Sequence, residues 1–562
     1  MRISNNVLIF IFFAFFAIAV TAPWACSDYV GPGDLKVYIS NISEAKLALM
    51  QHQFPVRVSP SMVDGMGYPF LQFYSPFLFS LEGLLNFIIE NPFQVGKMII
   101  WIALTLGGFY MYRLCNWFTG SPAASLLAAV CYITAPYLIV VFNVIGHFAE
   151  TVALGLLPIV LYYSFQLFTA YEIRHFILTA MLWAILAMTH MITCAYSLLF
   201  SLLLFLLLIF PKQSKFKWKN LILVLFSITF AFCLAGWFLF PAMIYKHRFA
   251  VDLLSPYSYP WRLLTPFAGL ISLKSISPIP LPSNGILVNE FFPAVGLPIL
   301  LGFAICFYAY LKDITFHKKS MLPFLIVFLL AFFATWTPFD FWQYIPKYFV
   351  ILQFSYRLLA QVMWIGCILL AYAFVWIAKD KLDHKFFIIM LCLIAINNTS
   401  WMHSAKAEST DKVALLKKYV VNLYQRDYAI PPAKLHRNEA LPTRRPIDTC
   451  TQQQKYKICT ASVTKKETII ALPQLYYPNM LRIQVNGQDV NYYPMVYKNN
   501  TVITGIKLMP GHYEISALFT GLRWANWISA GTWFLAFFIL FANLSWNYQK
   551  KHASYTVVCD QA

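Results

Sequence analysis

Residues 33–76 read GDLKVYISNISEAKLALMQHQFPVRVSPSMVDGMGYPFLQFYSP, directly after one hydrophobic stretch and well before the next. The segment opens on an acid, Asp34. Ile42, Ala45, Leu47, Leu49 and Met50 then follow helical spacing behind Ser40 and Asn41. A Pro-Val-Arg step and an exit rich in Gly, Tyr and Pro complete it. A pore has no need of such a loop between spans, whereas an enzyme acting on lipid-linked substrates at a bilayer surface does.

Composition makes lipid the solvent for the rest. The chain has 562 residues, 60% hydrophobic, 18% aromatic and only 12% charged, more apolar surface than a water-soluble fold of this length could hide. A span needs roughly 20 mostly apolar residues. Hydropathy places twelve, near 7–25, 97–112, 122–142, 151–168, 176–191, 193–210, 220–240, 293–311, 321–337, 358–378, 386–402 and 526–546. The stretch 176–210 is too long for one helix, and Thr189-His190-Met191 offers a turn between two. Ala22 to Cys26 offers small residues suited to signal cleavage, but the apolar core before it is long and further spans follow, so an uncleaved first helix is expected.

Charge supports this layout. With the N-terminus inside, the inner segments hold fifteen Lys or Arg, among them Arg113, Arg174, Lys212, Lys215, Lys217 and Lys219, against five acids. The outer loops before residue 403 hold ten of each. That asymmetry is what the positive-inside rule requires. Residues 403–525 carry seventeen bases and eight acids, but long domains cross regardless of charge. The net +19 therefore reflects topology in part, and otherwise a basic external domain suited to anionic headgroups or phosphates. The bases form no single stripe, which argues against nucleic acid as a partner.

The organisation expected is a transmembrane module over 1–402 with an external loop at 26–96, an external β-rich domain at 403–525, and a last span with a cytoplasmic tail over 526–562. Residues 77–90, apolar but short and carrying Glu82, suit a helix along the interface better than a span. The loop around Pro278, Pro280 and Pro282 reads as extended or mobile. Alternating runs at 468–472, 481–485 and 512–517, with Asn486-Gly487 and Pro510-Gly511 as turns, predict a small antiparallel β-sandwich before the last helix. Cys450 and Cys459 share that external domain, nine residues apart, and a disulfide between them is the expectation. The cysteines inside spans read as packing residues.

Three constellations could carry chemistry. Asp34, at the bilayer surface, could act as a general base or hold a divalent cation; equally, an acid there could stabilise the N-terminus of the helix that follows. Asp28 and Asp64 are rivals, Asp64 before Gly65 looking like a turn residue. Gly146-His147-Phe148-Ala149-Glu150 fills the second outer loop, where ionisable groups face a cavity or a partner, or form an ordinary solvated pair. Gln353-Phe354-Ser355-Tyr356-Arg357 precedes a span from outside; Arg357 suits bidentate phosphate binding, or snorkels. Arg57 is a weaker candidate of the same kind. His190 reads as a cap or packing residue. Tyr68 and Tyr74 bring phenols to a stretch that shapes the first loop. No HExxH, CxxC or histidine cluster points to zinc.

Taken in order, Asp34, Phe54-Pro55-Val56-Arg57, Gly67-Tyr68-Pro69, Phe73-Tyr74-Ser75-Pro76, the His147–Glu150 motif, the Gln353–Arg357 motif and Tyr476-Tyr477-Pro478 before a strand-rich segment resemble the bacterial membrane proteins labelled 6-pyruvoyl-tetrahydropterin synthase-related. More distantly the set is similar to the YfhO-type branch of the C-type (GT-C) glycosyltransferase superfamily. The resemblance implies a polytopic α-helical, GT-C-like bundle of about twelve spans with the small β-domain, in a bacterial plasma membrane with both termini cytoplasmic. It implies transfer of a sugar from a polyprenyl-phosphate donor to an acceptor left open, with Asp34 and Glu150 as catalytic acids and Arg57, Tyr74, His147 and Arg357 as substrate-binding residues. Asp34 stands without a paired acid, and Val37 stands where relatives often carry His, so the cofactor stays open with a divalent cation as one option. A transporter or flippase of lipid-linked saccharides would show charge inside spans and inverted repeats; this sequence has almost no charge within spans and no repeat. A non-catalytic envelope scaffold is the other alternative.

Overall fold

The computed structural model describes residues 5–25, 35–210, 217–249, 267–272, 276–280, 287–291, 294–312, 318–336, 341–345, 354–378, 384–399, 429–435, 446–464, 468–497 and 501–559. Asp28, Asp34, Gln353 and the expected boundary between 402 and 403 lie outside them.

The helices are α1 (Asn5–Ala25), α2 (Leu35–Met50), α3 (Phe70–Phe73), α4 (Pro76–Leu85), α5 (Pro92–Thr119), α6 (Pro122–Ile133), α7 (Pro136–Val140), α8 (Phe148–Thr169), α9 (Ile173–Thr189), α10 (Met191–Ile209), α11 (Trp218–Leu234) and α12 (Gly236–Tyr245). Then come α13 (Phe267–Leu270), α14 (Leu297–Lys312), α15 (Lys318–Thr335), α16 (Leu359–Ala378), α17 (His384–Thr399) and α18 (Arg523–Cys559). A helix stands at each of the twelve expected span positions. Among the described residues, length and composition qualify seven of them as crossings, or eight if α11 and α12, bent by 79°, count as one broken span. The protein is a polytopic helical membrane protein. The break expected at Thr189-His190-Met191 separates α9 from α10.

Small residues set the spacing at the bundle centre. Gly107 of α5 meets the backbone of Gly155 of α8, and a Cβ on Gly155 would come within 2.5 Å of the Ala103 carbonyl oxygen. Backbones can approach that closely only where side chains are missing. The bend between α11 and α12 frees the Leu234 carbonyl from its helical partner. Ser529 Oγ and, at 3.0 Å, Trp533 Nε1 of α18 donate to it instead, which ties the last helix to the break.

In the first loop, α2 is anchored by Glu44, whose carboxylate accepts from the Ser61 N–H at 3.0 Å and from the Ser61 hydroxyl. Asp64 and Gly65 both adopt positive φ (+53° and +70°) in a tight turn. At ten residues α4 is too short to span, and its Glu82 is fully buried. Two described pieces of the third loop are extended, as its prolines predict: β1 (Ile276–Pro280) pairs antiparallel with β2 (Leu287–Phe291), Pro278 facing Asn289. Extended backbone suits proline, and a two-stranded ribbon has edges where its missing N–H costs nothing.

The C-terminal β-sheet domain comprises β3 (Cys450–Gln453), β4 (Tyr456–Val463), β5 (Thr468–Leu475), β6 (Leu481–Val485), β7 (Gln488–Asp489), β8 (Tyr493–Tyr497), β9 (Thr501–Leu508) and β10 (Gly511–Phe519). They form two antiparallel sheets, ordered β3-β4-β10-β6-β7 and β5-β9-β8. Leu481, Ile483 and Val485 point inward while Arg482 is exposed, the period-two pattern of a half-buried strand. Asn486 and Gly487, with φ of +48° and +83°, make the β6–β7 turn, as an Asn-Gly hairpin loop requires. Cys450 faces Cys459 across β3 and β4, and the two are joined as a disulfide. The domain rests on the first loop: the Leu475 N–H donates to the Met66 carbonyl at 2.7 Å, and Lys457 Nζ to the Gly65 carbonyl at 2.5 Å.

Candidate functional site

The polar centre of the bundle is built on an irregularity. Between α7 and α8 the backbone makes a π-helical turn over Val141–Ile145 and closes on Gly146 at φ +75°. Such widened turns recur at functional sites because they redirect the side chains that follow. Here they deliver His147 to the N-cap of α8 and Glu150 to its first turn. Arg357 arrives from the other side, on the 3-10 turn Ser355–Leu358 that leads into α16.

Glu150, 1% exposed, gathers two hydrogen-bond donors and one cation. The Tyr137 hydroxyl bonds Oε1, His147 Nδ1 lies 3.2 Å from Oε2, and Arg357 Nε lies 3.4 Å from the same oxygen. A buried carboxylate is tolerated only when so compensated. The contact assigns the His147 proton to Nδ1, since a carboxylate only accepts. The guanidinium of Arg357 also lies 5.4 Å from the Phe354 ring, which stacks on Tyr356 at 5.2 Å. Tyr74 stands within electrostatic reach of Arg357, with its hydroxyl bonded to that of Tyr38 and its backbone neighbour Ser75 donating to the Thr189 carbonyl at 2.7 Å. His190 caps α10, its Nδ1 accepting from the Thr193 N–H at 3.3 Å, so its proton is on Nε2; it too lies near Glu150.

Tyr74, His147, Glu150 and Arg357 thus gather in one place. Arg57 does not join them. It lies some way along the first loop, donating to Gln72 Oε1 at 2.5 Å and Asn526 Oδ1 at 2.8 Å, over the ring of Trp237 at 4.8 Å. Asp34 is outside the described residues. Three polar residues were passed over in the sequence: Tyr137 and Tyr38, which bond within the cluster, and Asn143. Asn143 sits in the π turn, fully buried, with neither amide atom hydrogen-bonded. A lone amide inside an apolar run, three residues before the Gly-His motif, was the available signal. Among the described residues no three His, Cys, Asp or Glu side chains form a metal-holding group.

The cluster is a preorganised array of charge and donors rather than a nucleophile. Both oxygens of Glu150 are occupied, and its carboxylate joins the imidazole to the guanidinium.

Among solved structures, the arabinofuranosyltransferase AftD from Mycobacteria is similar at a TM-score of 0.46 and 15% identity, over 72% of this chain and 27% of that one. An Archaeoglobus fulgidus oligosaccharyltransferase, solved with Zn and sulfate, gives a TM-score of 0.41 and 13% identity over 77% and 59%. An uncharacterized protein of Lactococcus lactis subsp. cremoris (strain MG1363) is 23% identical over 243 residues, 42% of this chain and 40% of that relative. The chain thus spans less than two thirds of each of these relatives. The family model described as 6-pyruvoyl-tetrahydropterin synthase related domain, membrane protein, matches residues 71–405. That match takes in α4, the Glu150 cluster and Arg357 and exceeds half of the chain, so this protein belongs to the 6-pyruvoyl-tetrahydropterin synthase related family of membrane proteins.

Proposed function

We propose that the protein is a glycosyltransferase of the bacterial plasma membrane, moving a sugar from a polyprenyl-phosphate donor to an acceptor on the outer face. The observation that carries the reading is the convergence of Glu150, Arg357, His147 and Tyr137 at the end of the bundle where first-loop Tyr74 also arrives. A sugar phosphate needs a cation for the departing phosphate and hydrogen-bond partners for the hydroxyls. Arg357 supplies the first; His147 Nε2 and the Tyr137 oxygen, whose protons already go to Glu150, can accept from the hydroxyls, and the Asn143 amide, without a partner among the described residues, can donate. The reaction is written as an inverting displacement. The acceptor hydroxyl oxygen forms a bond to the anomeric carbon, the bond from that carbon to the phosphate oxygen breaks, and the electron pair leaves with the polyprenyl phosphate. Asp34 takes the acceptor proton.

The transmembrane module, the external loop at 26–96 and the external domain at 403–525 then divide the work between donor entry through the bilayer, chemistry and acceptor holding. Both termini are cytoplasmic in this arrangement. The test is transfer from a panel of radiolabelled polyprenyl-phosphate sugars by purified wild-type and Asp34→Asn protein. A general base is worth about 10²- to 10⁴-fold, so the variant should lose transfer by that factor while remaining folded. Equal turnover removes Asp34 from the mechanism. No transfer by wild type from any donor overturns the enzyme reading.

A further inference from the structure

A second polar feature lies away from the Glu150 cluster, at the seam where the first loop, the β-domain and α18 meet. A cavity of about 830 Å³ opens there, within the range of ligand sites, about 300–1,000 Å³. Four cations line it from three parts of the chain: Arg57 from the first loop, Lys455 and Lys457 from the β-domain, and Arg523 at the start of α18. Among the described residues, no Asp or Glu lines it and no carboxylate comes within ion-pair distance of any of the four; exposed Asp489, within electrostatic reach of Arg523, is bonded to Arg482. Like charges brought together without paired counterions repel, and a fold tolerates this where an anion completes the site.

The other half of the cavity is apolar and faces lipid. Trp527, Trp533 and Phe537 of α18 contribute to its wall, on a span of which only 17% is buried. Trp527 is 78% exposed and Phe537 57%. Phe77 and Trp237 also line it. A cationic pocket that continues onto the membrane-facing side of a span matches one kind of molecule, an anion on a hydrocarbon chain. A free phosphate would use the cations and leave the aromatic strip bare; a neutral lipid would do the reverse.

We infer that this seam is a binding site for a phosphate-headed lipid, its phosphate among Arg57, Lys455, Lys457 and Arg523 and its hydrocarbon chain along Trp533 and Phe537. Burial lowers Arg57 to about 10 and Lys457 to about 8, so both remain largely cationic at neutral pH, and an arriving phosphate would hold them so. The inference stands apart from the transfer reaction, because occupancy of the seam requires no turnover. It also gives the β-domain a task, since two of the four cations are its own.

The test measures retention of radiolabelled C55 polyprenyl phosphate by the purified full chain, against the uncharged polyprenol of the same length. Lys455 and Arg523 are exposed, so Lys455→Gln with Arg523→Gln leaves folding intact. Removing two of four phosphate-binding cations should weaken retention about tenfold or more, leaving the weaker polyprenol binding unchanged. Millimolar inorganic phosphate should not displace the lipid. The inference fails if the double variant holds polyprenyl phosphate as wild type does, if polyprenol binds equally well, or if inorganic phosphate displaces the lipid and so marks a free-phosphate site. Retention of the lipid by wild type with no transfer from any donor would count against the proposed reaction only.

Discussion

Glu82 is fully buried on α4, and neither of its carboxylate oxygens has a hydrogen-bond partner among the described residues. Burial alone pushes this carboxyl well above its ordinary 4.5, so the folded protein holds the proton to higher pH than the unfolded chain does. The consequence for stability has a definite sign. Below about pH 4.5 folded and unfolded chains both carry the proton. Above it the unfolded chain ionises while the folded one does not, and stability falls as pH rises until the folded carboxyl ionises too. Glu82→Met should remove that slope and raise stability near pH 7 by about 1–3 kcal/mol, the cost of an unmet buried polar group; thermal unfolding in detergent across pH reads both effects. The Glu150–Arg357 pair makes the contrasting case. Arg357→Met alone strands a buried carboxylate and should cost about 3–5 kcal/mol, whereas Glu150→Gln with Arg357→Met together should cost much less, as a double-mutant cycle would report. The motif residues His147, Glu150 and Arg357 could be picked from sequence because ionisable groups are rare next to spans. Tyr137 and Tyr38 could not, since a tyrosine in an aromatic-rich chain looks like any other ring until its hydroxyl is seen to bond.

At the scale of elements, α8 holds Glu150 in place through its contact with α5. Gly155 follows Glu150 on α8, and its missing side chain lets the Ala103 backbone approach. Gly155→Leu should force the helices apart at a cost of about 1–3 kcal/mol or more and impair transfer even in molecules that remain folded, because Glu150 shifts relative to Arg357; circular dichroism and turnover per folded molecule distinguish the two losses. The β3–β4 ribbon depends on its cross-link. Closing a short loop restricts the unfolded chain, so Cys450→Ser with Cys459→Ser should lower stability by about 2–3 kcal/mol, measured by unfolding without reductant. Helix positions were readable because apolar runs of span length have few other solutions in lipid. The bend at Ala235 was not, because a broken helix and a straight one share the same hydropathy. Nor was the β1–β2 ribbon, since prolines at 278 and 280 signal extension without naming a partner.

For the whole molecule, the first loop and the β-domain must share one side of the membrane, because they are hydrogen-bonded through Met66 with Leu475 and Gly65 with Lys457. Reporter fusions at Lys212 and Asn438 should therefore report opposite sides, Lys212 cytoplasmic; the same side at both would overturn the topology and the outward-facing reaction with it. Hydropathy and charge conveyed the bundle, the β-domain and their order along the chain. The seam between them stayed hidden, because Arg57, Lys457 and Arg523 are far apart in sequence and only packing unites them. The central claim is that the charge array around Glu150 is a reaction centre. Its most direct test is turnover per folded molecule of Glu150→Gln with Arg357→Gln, a pair that loses both charges together and so keeps the compensation the fold needs. Loss of preorganised charge stabilisation is worth about 10²- to 10³-fold, and the account expects transfer from a polyprenyl-phosphate sugar to fall at least that far while the protein stays folded. A folded double variant that transfers as fast as wild type would contradict it.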